Sequence, residues 1–330
     1  MFALENVIII GAGPCGLSAA IELAKLGIQP LIIEKQCVAY SIYLYPTYMQ
    51  FFSTPELLEI GGIPFTTPNE KPTRLEALHY YRNAALRSEL RIQPYHTVNR
   101  IDRQDDGSFE LSLTDRTGLD STARARNVVV ATGYFDHPNL LGIPGEELSK
   151  VTHYYREAHP YSGTKVTIIG GNNSAIDAAM DLLRAGAEVT VVYRGESYSP
   201  NIKPWVLPVF ESMVDKGRIK MLFHSRVTRI GERAVTIVSG DRETELDNDF
   251  VLALTGFRPD RSMLIAAGAK MNEQLTAPIH NPETMETTVP GLFIAGVAAS
   301  GSNANEVFIE TGRLHGGMIA RYITGTRPPG

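Results

Sequence analysis

The stretch that decides the fold lies near the start of the chain and reads Val7-Ile8-Ile9-Ile10-Gly11-Ala12-Gly13-Pro14-Cys15-Gly16. Its leading apolar residues predict a buried parallel strand, and residues 17–26 predict the helix that follows. The glycines between them stand at G-x-G-x-x-G spacing: Gly11 allows a tight turn, Gly13 lets the backbone approach a pyrophosphate, and Gly16 lets helix and strand pack closely. The helix N-terminus would direct N–H groups and its positive dipole end at the phosphates, and Pro14 suits the first helical turn. The stretch therefore predicts a dinucleotide-binding turn.

The residues after this helix complete the unit. Residues 30–34 predict a second strand that ends in Glu34, 23 residues after Gly11, with Lys35 beside it. An acid at the end of that strand accepts hydrogen bonds from an adenosine ribose. Strand, glycine turn, helix, strand and terminal acid together indicate a nucleotide-binding unit far more strongly than the glycines alone.

The same pattern returns about 159 residues later, which indicates an internal repeat. Residues 165–175 predict a strand, a turn and a helix start, and residues 188–194 predict the next strand. In this second copy Asn172 replaces the middle glycine, and Tyr193 followed by Arg194 stands where the first copy has its acid. A basic residue without an acid favours the 2′-phosphate of NADP, with Lys203 assisting. The alternative for Arg194 is an exposed charge at a strand end.

The composition excludes several classes of protein. The chain has 330 residues, enough for about two domains, and a net charge of −5, which argues against a nucleic-acid partner. The first apolar run has four residues and no later run reaches spanning length, so we expect neither a signal peptide nor a membrane partner. Cys15 and Cys37 give no disulfide framework, which favours a reducing cytoplasm.

The remaining elements follow from shorter patterns. Buried strands ending in glycine are predicted at residues 127–133, 250–256 and 291–297, and residues 138–163 read as a crossover between domains. Helices are predicted at 73–88 and 206–216, and strands at 90–101 and 109–113. A helix from about residue 306 to 322 follows a polar turn and would direct its N-terminus at a flavin N1–C2=O edge. Residues 38–56 are rich in aromatic residues and predict a loop over a flat ring system or, more simply, a loop that covers the core.

The order of these elements resembles the low-molecular-weight thioredoxin reductase type of flavoprotein over essentially the whole chain. The resemblance implies an α/β fold with two Rossmann-like (FAD/NAD(P)-binding) three-layer domains, the second inserted in the first. It places FAD on residues 1–137 and 258–330, and NADPH on residues 138–257. Two departures follow: the predicted NADPH domain contains no Cys-x-x-Cys, and the usual Gly-Asp near the ribityl chain of the flavin is Gly296-Val297.

Within that superfamily the chain resembles the bacillithiol disulfide reductase family most closely. The similar stretches are residues 11–16, 45–61, 170–175, 295–297 and 308–312, of which 45–61 is the most specific. The resemblance implies an NADPH-dependent FAD enzyme that reduces the disulfide of a low-molecular-weight thiol in the bacterial cytoplasm. Because relatives of this type usually form homodimers, it also implies a homodimer. Cys15 matches the single proposed redox cysteine of the family.

The turns and the resemblance together give the predicted site residues. Those expected to bind FAD are Gly11, Gly13, Pro14, Cys15, Gly16, Glu34, Lys35, Val98, Thr132, Gly133, Gly296, Val297, Asn305 and Glu306. Those expected to bind NADPH are Gly170, Asn172, Asn173, Ser174, Ala175, Tyr193, Arg194, Lys203 and Gly256. No metal site is expected, because the histidines show no metal-ligand spacing.

Cys15 has two interpretations. A helix N-terminus lowers the pKa of a thiol, whereas a pyrophosphate on the same N–H groups would oppose a second anion there. One hypothesis is a redox role, in which electrons from NADPH pass through the flavin to a mixed disulfide on Cys15, or directly to the substrate disulfide. The other is a small buried residue at a tight helix start. The family resemblance favours the redox role, and Cys37 is interpreted as structural.

Three rival functions remain open at this point. A flavin monooxygenase is one, although Ser149 stands where its fingerprint needs a glycine before His153. A ferredoxin–NADP or flavodoxin–NADP reductase of the thioredoxin-reductase type also lacks Cys-x-x-Cys. The third is a sensor that binds NADPH and turns over poorly.

Overall fold

A computed structural model describes residues 4–273, 276–301 and 307–326 of the chain. The strands are β1 (Leu4–Ile10), β2 (Leu31–Ile33), β3 (Arg91–Gln93), β4 (His96–Arg103), β5 (Phe109–Asp115), β6 (Asp120–Val130), β7 (Val151–Thr152), β8 (Lys165–Ile169), β9 (Glu188–Val192), β10 (Ile219–Leu222), β11 (Ser225–Ile230), β12 (Ala234–Ser239), β13 (Arg242–Asp247), β14 (Phe250–Ala253), β15 (Met271–Asn272), β16 (Ala277–Pro278) and β17 (Leu292–Ile294).

The helices are α1 (Pro14–Lys25), α2 (Tyr40–Leu44), α3 (Pro55–Leu58), α4 (Arg74–Arg87), α5 (Asn173–Arg184), α6 (Leu207–Asp215), α7 (Ser262–Ala266), α8 (Ile309–Gly312) and α9 (His315–Thr324). Short 3₁₀ helices lie at His159–Tyr161 and Gly296–Ala299. Among the described residues, no helix has both the length and the apolar character needed to cross a membrane.

The chain divides into two units. Unit 1 comprises residues 1–43, 49–137 and 257–330, and unit 2 comprises residues 44–48 and 138–256. These bounds assign residues 44–48 to unit 2 and residue 257 to unit 1, whereas the sequence places the domain boundaries at 137/138 and 257/258.

Unit 1 is organised around a seven-stranded sheet in the order β3-β2-β1-β6-β5-β4, with β17 paired to β6. The strands β3, β2, β1, β6 and β17 run parallel, and β4 and β5 are antiparallel. The last four residues of β1 are fully buried, as expected for a strand whose two faces are both covered. The C-terminal ends of β1 and β2 thus lie side by side, where the glycine turn and Glu34 follow.

Unit 2 repeats this arrangement on a smaller scale. Its five-stranded sheet has the order β10-β9-β8-β14-β7 and is entirely parallel. Helix α5 covers one side of the sheet and buries an apolar face that includes Ile176 and Leu182. The antiparallel strands β11, β12 and β13 form a separate sheet.

Several predicted elements are confirmed, with small shifts of their ends. Helix α1 begins at Pro14 rather than at residue 17, because Pro14 occupies a first-turn position where its missing N–H has no cost. Helix α4 begins after Thr73, which forms a capping box with Glu76: Thr73 Oγ1 accepts from the Glu76 N–H, and Glu76 accepts from the Thr73 N–H. The helix predicted at 206–216 corresponds to α6.

One predicted strand and one predicted helix are each two elements in the structure. The single strand predicted at 90–101 is two strands, β3 and β4, because Pro94 has no N–H to donate and Tyr95 has a φ of 59°. The single helix predicted at 306–322 is two helices, α8 and α9, separated by Arg313 and Leu314. The second difference matters for the site, since each short helix packs on a different part of α1.

Candidate functional site

The first glycine turn has the close packing that its spacing predicts. The N–H of Gly11 donates to Ile33 O at 2.8 Å, and Gly11 has a φ of 105°. A Cβ on Gly11 would lie 2.5 Å from Ala131 O, and one on Gly16 would lie 2.0 Å from Gly11 O. Gly13 differs, because the position of its missing Cβ has no atom within 4 Å. The turn is therefore crowded by protein at two glycines and open at the third.

The start of α1 is available to an anion. Gly13 is the N-cap of this 12-residue helix, and no side-chain hydrogen bond caps it. Exposed N–H groups at such an end bind phosphate readily. The open space at Gly13 and this helix end fit a pyrophosphate.

Glu34 lies at the carboxyl end of β2 and holds the turn from the other side. Its Oε2 accepts from the Ala12 N–H at 2.7 Å, and its Oε1 accepts from the Gln36 N–H at 2.8 Å. Burial, reinforced by the charge of Asp136, raises the pKa of Glu34, although the two N–H donors oppose this shift. Through these two hydrogen bonds the Glu34 side chain holds the glycine turn in place.

Four other residues predicted to bind FAD lie near Glu34 or near the glycine turn: Lys35, Val98, Thr132 and Gly133. Lys35 forms an ion pair with Asp136 at 2.8 Å. Val98 is buried on β4, whose first residue donates its N–H to Glu34 O at 3.0 Å. The Cα of Thr132 would lie 3.4 Å from a Cβ on Gly11, and Gly133, with a φ of 72°, follows it.

Cys15 lies between two glycines that are distant in the sequence. A Cβ on Gly296 would lie 2.8 Å from Cys15 Sγ, and a Cβ on Gly312 would also lie 2.8 Å from it. The 3₁₀ turn that begins at Gly296 and the end of α8 therefore both contact the sulfur. This brings the predicted residues Gly296 and Val297 to the start of α1.

The surroundings of Cys15 keep its thiol protonated. Burial, followed by the negative charge of Glu310, raises the pKa of Cys15 to about 12. The sequence left two opposing effects on this pKa, the helix N-terminus that lowers it and a pyrophosphate that raises it; the structure adds burial and Glu310, which both raise it. The residue as a whole keeps partial exposure. Cys37 is also partly exposed, and burial raises its pKa, with a smaller contribution from Glu34.

Helix α8 is fixed beside Cys15 by polar contacts. Glu310 accepts a short hydrogen bond from the Ser53 hydroxyl. Arg313 donates to Glu59 O, and Ser18 Oγ donates to Arg313 O at 2.6 Å. These contacts join α8 to the segment 53–59 and to α1.

The aromatic stretch 38–56 proves to be partly helical, since it contains α2 and the start of α3. Phe51 is buried, as expected for a residue that covers the core. Tyr48 is exposed and Phe52 is partly exposed, with 81% and 43% of their surfaces accessible. Phe51 therefore covers the core, which is the simpler of the two roles predicted for this stretch.

The second glycine turn has the same construction as the first. The N–H of Gly170 donates to Val192 O at 3.1 Å, and a Cβ on Gly170 would lie 2.5 Å from Leu254 O. That Cβ would also lie 3.3 Å from the Cβ of Ala175, the residue in the place of Gly16. Asn172 is the N-cap of α5, and no side-chain hydrogen bond caps this helix.

The predicted NADPH residues gather around the N-terminus of α5. The ring of Tyr193 occupies the space beside Gly171 and Gly195, whose Cβ atoms would lie 2.3 and 2.4 Å from it. Asn173 donates to Asn201 O at 2.8 Å and accepts from the Lys203 N–H at 2.9 Å. The loop that carries Lys203 is therefore attached to the start of α5.

The outer residues of this second turn are accessible. Asn172, Ser174 and Arg194 are exposed. Gly256 has a φ of 87°, and its carbonyl accepts from the Asn139 N–H at 2.9 Å. An exposed guanidinium at the end of β9 is suitably placed for an anionic ligand, which is the role predicted for Arg194.

Not every predicted residue can be placed. Asn305 and Glu306, predicted to contact FAD, lie outside the described residues. Conversely, Glu310, Gly312 and His315 influence the Cys15 region but are not among the predicted site residues, although Glu310 and Gly312 lie in the stretch 308–312 that carries the family resemblance. Their relevance comes from tertiary contacts: Gly312 with Cys15, Glu310 with Ser53, and His315 with Gly296.

Comparison with known proteins identifies the family. A family model described as pyridine nucleotide-disulphide oxidoreductase matches residues 8–296. The chain is 49% identical over 320 residues to bacilliredoxin reductase Bdr of Bacillus subtilis, covering 97% of each chain.

Two solved structures are similar over nearly their full length. Bacillithiol disulfide reductase Bdr (YpdA) from Bacillus cereus has a TM-score of 0.96 and 47% identity, over 98% of this chain and 100% of that one. The enzyme of the same name from Staphylococcus aureus has a TM-score of 0.93 and 44% identity, over 99% and 100% of the two chains.

These similarities confirm the resemblance and the α/β fold with two Rossmann-like domains predicted from the sequence. They confirm an oxidoreductase, and its predicted cofactors, FAD and NADPH, are those of the family. The chain therefore belongs to the pyridine nucleotide-disulphide oxidoreductases and, among them, to the family of the Bdr (YpdA) bacillithiol disulfide reductases.

Proposed function

We propose that this protein uses NADPH and FAD to reduce the disulfide of a low-molecular-weight thiol, bacillithiol disulfide. The observation that supports this most directly is the position of Cys15, with its sulfur between Gly296 and Gly312 at the start of α1. Unit 2 contains no cysteine, so a dithiol of the thioredoxin reductase kind is not available there. The thiol chemistry of the chain is thus concentrated at one residue.

FAD would be held by unit 1. The N-terminus of α1 and the open side of Gly13 would receive the pyrophosphate, and Glu34 would face the adenosine ribose. Thr132, Gly133, Gly296 and Val297 would border the rest of the cofactor. When bound, FAD accepts a hydride from NADPH and supplies two electrons to a disulfide.

NADPH would be held by unit 2. The N-terminus of α5 has no side-chain cap and would face the phosphates, while Arg194 would face the 2′-phosphate, with Lys203 assisting. The ring of Tyr193 stands where an NAD-specific site would have an acid. The side chains therefore favour NADPH over NADH.

Cys15, as its thiolate, would attack one sulfur of bacillithiol disulfide, which breaks the S–S bond and releases one bacillithiol. Two electrons from NADPH, delivered through FAD, and protons would then cleave the mixed disulfide, restore the Cys15 thiol and release the second bacillithiol. Because burial and Glu310 raise the pKa of Cys15, its resting thiol is protonated at neutral pH. The resting thiol is therefore a poor nucleophile, and it becomes reactive only when its surroundings change. Glu310 raises the pKa of Cys15 through its charge, so neutralisation or displacement of Glu310 would lower that pKa.

The names of the relatives indicate different electron acceptors. The Bacillus subtilis relative is named for bacilliredoxin, and the two solved structures are named for bacillithiol disulfide. We favour the small-molecule disulfide, because one enclosed sulfur beside two glycines suits a small substituent better than the thiol of a folded partner. Bacilliredoxin carrying a bacillithiol adduct is the second candidate.

The assay is anaerobic oxidation of NADPH by the FAD-loaded protein in the presence of different acceptors. Bacillithiol disulfide should support turnover at least about tenfold faster than glutathione disulfide or cystine. Fast reduction of ferredoxin with no disulfide turnover would instead indicate a ferredoxin–NADP reductase. Substrate-dependent consumption of oxygen would indicate a monooxygenase, and no turnover with any acceptor would indicate a sensor.

We further propose a cytoplasmic homodimer. The reducing compartment is supported by the two unpaired cysteines, Cys15 and Cys37. Sedimentation of the FAD-loaded protein would measure its mass in solution, and a monomeric mass would contradict the dimer.

A further inference from the structure

We infer that His315 is a positioning residue of the proposed flavin site: by accepting the N–H of Gly296, it fixes the turn that packs against Cys15. The inference rests on the proposed function for the presence of flavin at this turn. His315 acts through Gly296, whose N–H it accepts.

A hydrogen bond joins His315 to the turn that begins at Gly296. The backbone N–H of Gly296 donates to His315 Nδ1 at 3.2 Å. Gly296 begins the 3₁₀ turn after β17, and His315 begins α9. One side chain therefore joins the end of the central sheet to the helix that covers α1.

Gly296 also packs closely against Cys15 and Gly312. A Cβ at this residue would lie 2.8 Å from Cys15 Sγ and 3.0 Å from Cys15 Cβ, and one on Gly312 would lie 2.8 Å from Gly296 Cα. Close packing of this kind does not tolerate displacement of the backbone. A shift of Gly296 away from His315 would therefore alter the space around the sulfur.

The imidazole of His315 is neutral and has a defined tautomer. Burial, followed by the nearby charge of His280, lowers the pKa of His315 to about 4, so the ring is neutral at neutral pH. Because Nδ1 accepts a hydrogen bond, the ring proton resides on Nε2. Val297, next to Gly296, has no polar side chain; His315 accepts the Gly296 N–H at the start of this turn, and Ser300 Oγ donates to Val297 O at its end.

The helix that carries His315 is itself firmly placed. A Cβ on Gly316 would lie 2.6 Å from the Cα of Ala19 in α1. The close approach of α9 to α1 therefore fixes the backbone of His315, and its side chain transmits that position to Gly296. Gly296 is in this way held between α9 and α1.

The test compares three substitutions that differ in where they place an acceptor. His315→Asn puts an oxygen near the position of Nδ1, His315→Gln puts one near Nε2, and His315→Ala has none. His79→Ala is the control, because His79 is an exposed histidine on α4 of the same unit. All variants carry Cys37→Ser, so that Cys15 is the one thiol left to alkylate.

Two quantities are measured: the dissociation constant of FAD from the apoprotein, and the rate of alkylation of Cys15 by iodoacetamide before FAD is added. Loss of the acceptor should weaken FAD binding about tenfold and accelerate alkylation about fivefold in the Gln and Ala variants. The Asn and His79 variants should stay within about twofold of the parent protein.

An Asn variant that behaves like the Gln and Ala variants would overturn the inference, as would an Ala variant equal to the parent. If His315→Ala does not fold, the comparison of Asn with Gln decides the matter, because both retain a polar side chain. Neither readout needs a disulfide substrate. Absence of turnover with bacillithiol disulfide would therefore refute the proposed function without changing this result.

Discussion

A Cβ atom on Gly312 would lie 2.8 Å from the Sγ atom of Cys15 and equally close to the Cα of Gly296. The thiol at the start of α1 thus lies against backbone from two later segments of unit 1. This arrangement explains why residues 296 and 312 are glycines: a larger residue at either position would displace the sulfur.

Gly312→Ala should therefore destabilise the protein by about 1–3 kcal/mol, the usual cost of overpacking. The free energy of unfolding is measured by urea titration of the apoprotein. Adding Cys15→Ala should recover only part of the loss, because the contact with Gly296 Cα remains.

Gly317→Ala is the matched control for this substitution. Its Cβ would meet only the flexible end of Arg321, at 3.2 Å, within helix α9. Removal of a helical glycine should stabilise by about 0.5–1 kcal/mol. Equal effects of the two substitutions would contradict close packing at Gly312.

Glu34→Ala should weaken FAD binding by about tenfold or more, because the Ala12 and Gln36 N–H groups lose a charged acceptor and the ribose loses its partner. Fluorescence titration of the apoprotein with FAD measures the effect. Glu22→Gln, which removes only an exposed ion pair with Lys25 on α1, should change the affinity by less than about twofold. An unchanged affinity in the Glu34 variant would exclude the role of this carboxylate.

Arg194→Ala should raise the KM for NADPH by about 10- to 100-fold and leave the KM for NADH nearly unchanged, since only NADPH carries the 2′-phosphate. The measurement is steady-state reduction of a dye acceptor with each nucleotide. Arg184→Ala, an exposed arginine at the end of α5, serves as the control. Similar losses with both nucleotides would place Arg194 outside the 2′-phosphate site.

His315 should make stability depend on pH. Because the pKa of His315 falls from 6.5 to about 4 on folding, the unfolded chain binds a proton between these values that the folded protein does not. The contribution of the neutral ring is therefore fully present above about pH 6.5 and is lost as the pH falls toward about 4. Urea midpoints of the parent protein should decrease more steeply over this range than those of His315→Asn. Parallel curves would show that His315 does not titrate in this way.

The sequence predicted the two nucleotide turns well, because their chemistry is local. Strand, glycine spacing, helix and terminal residue lie within about two dozen positions of one another, and each has a direct physical reason. Gly11 with Ala131 and Gly170 with Leu254 then show the same close approach in both units. The strand break at Pro94 was also readable in principle, since proline cannot donate within a sheet.

The surroundings of Cys15 were not predictable in the same way. The break between α8 and α9 arises because Gly312 packs on Cys15 whereas Gly316 packs on Ala19, and no periodicity within residues 306–322 records these contacts. The thiol pKa is a second example: position at a helix start left its direction open, and burial and Glu310, which are tertiary features, raise it. The hydrogen bond from Gly296 to His315 likewise depends on tertiary packing.

The central claim is tested most directly by anaerobic stopped-flow spectroscopy of the FAD-loaded protein. NADPH should bleach the flavin absorbance at least about tenfold faster than NADH, and bacillithiol disulfide should then restore it. Cys15→Ser should retain the bleaching and lose the restoration. Flavin that NADPH reduces but bacillithiol disulfide does not reoxidise, or restoration at the full rate in Cys15→Ser, would contradict the account.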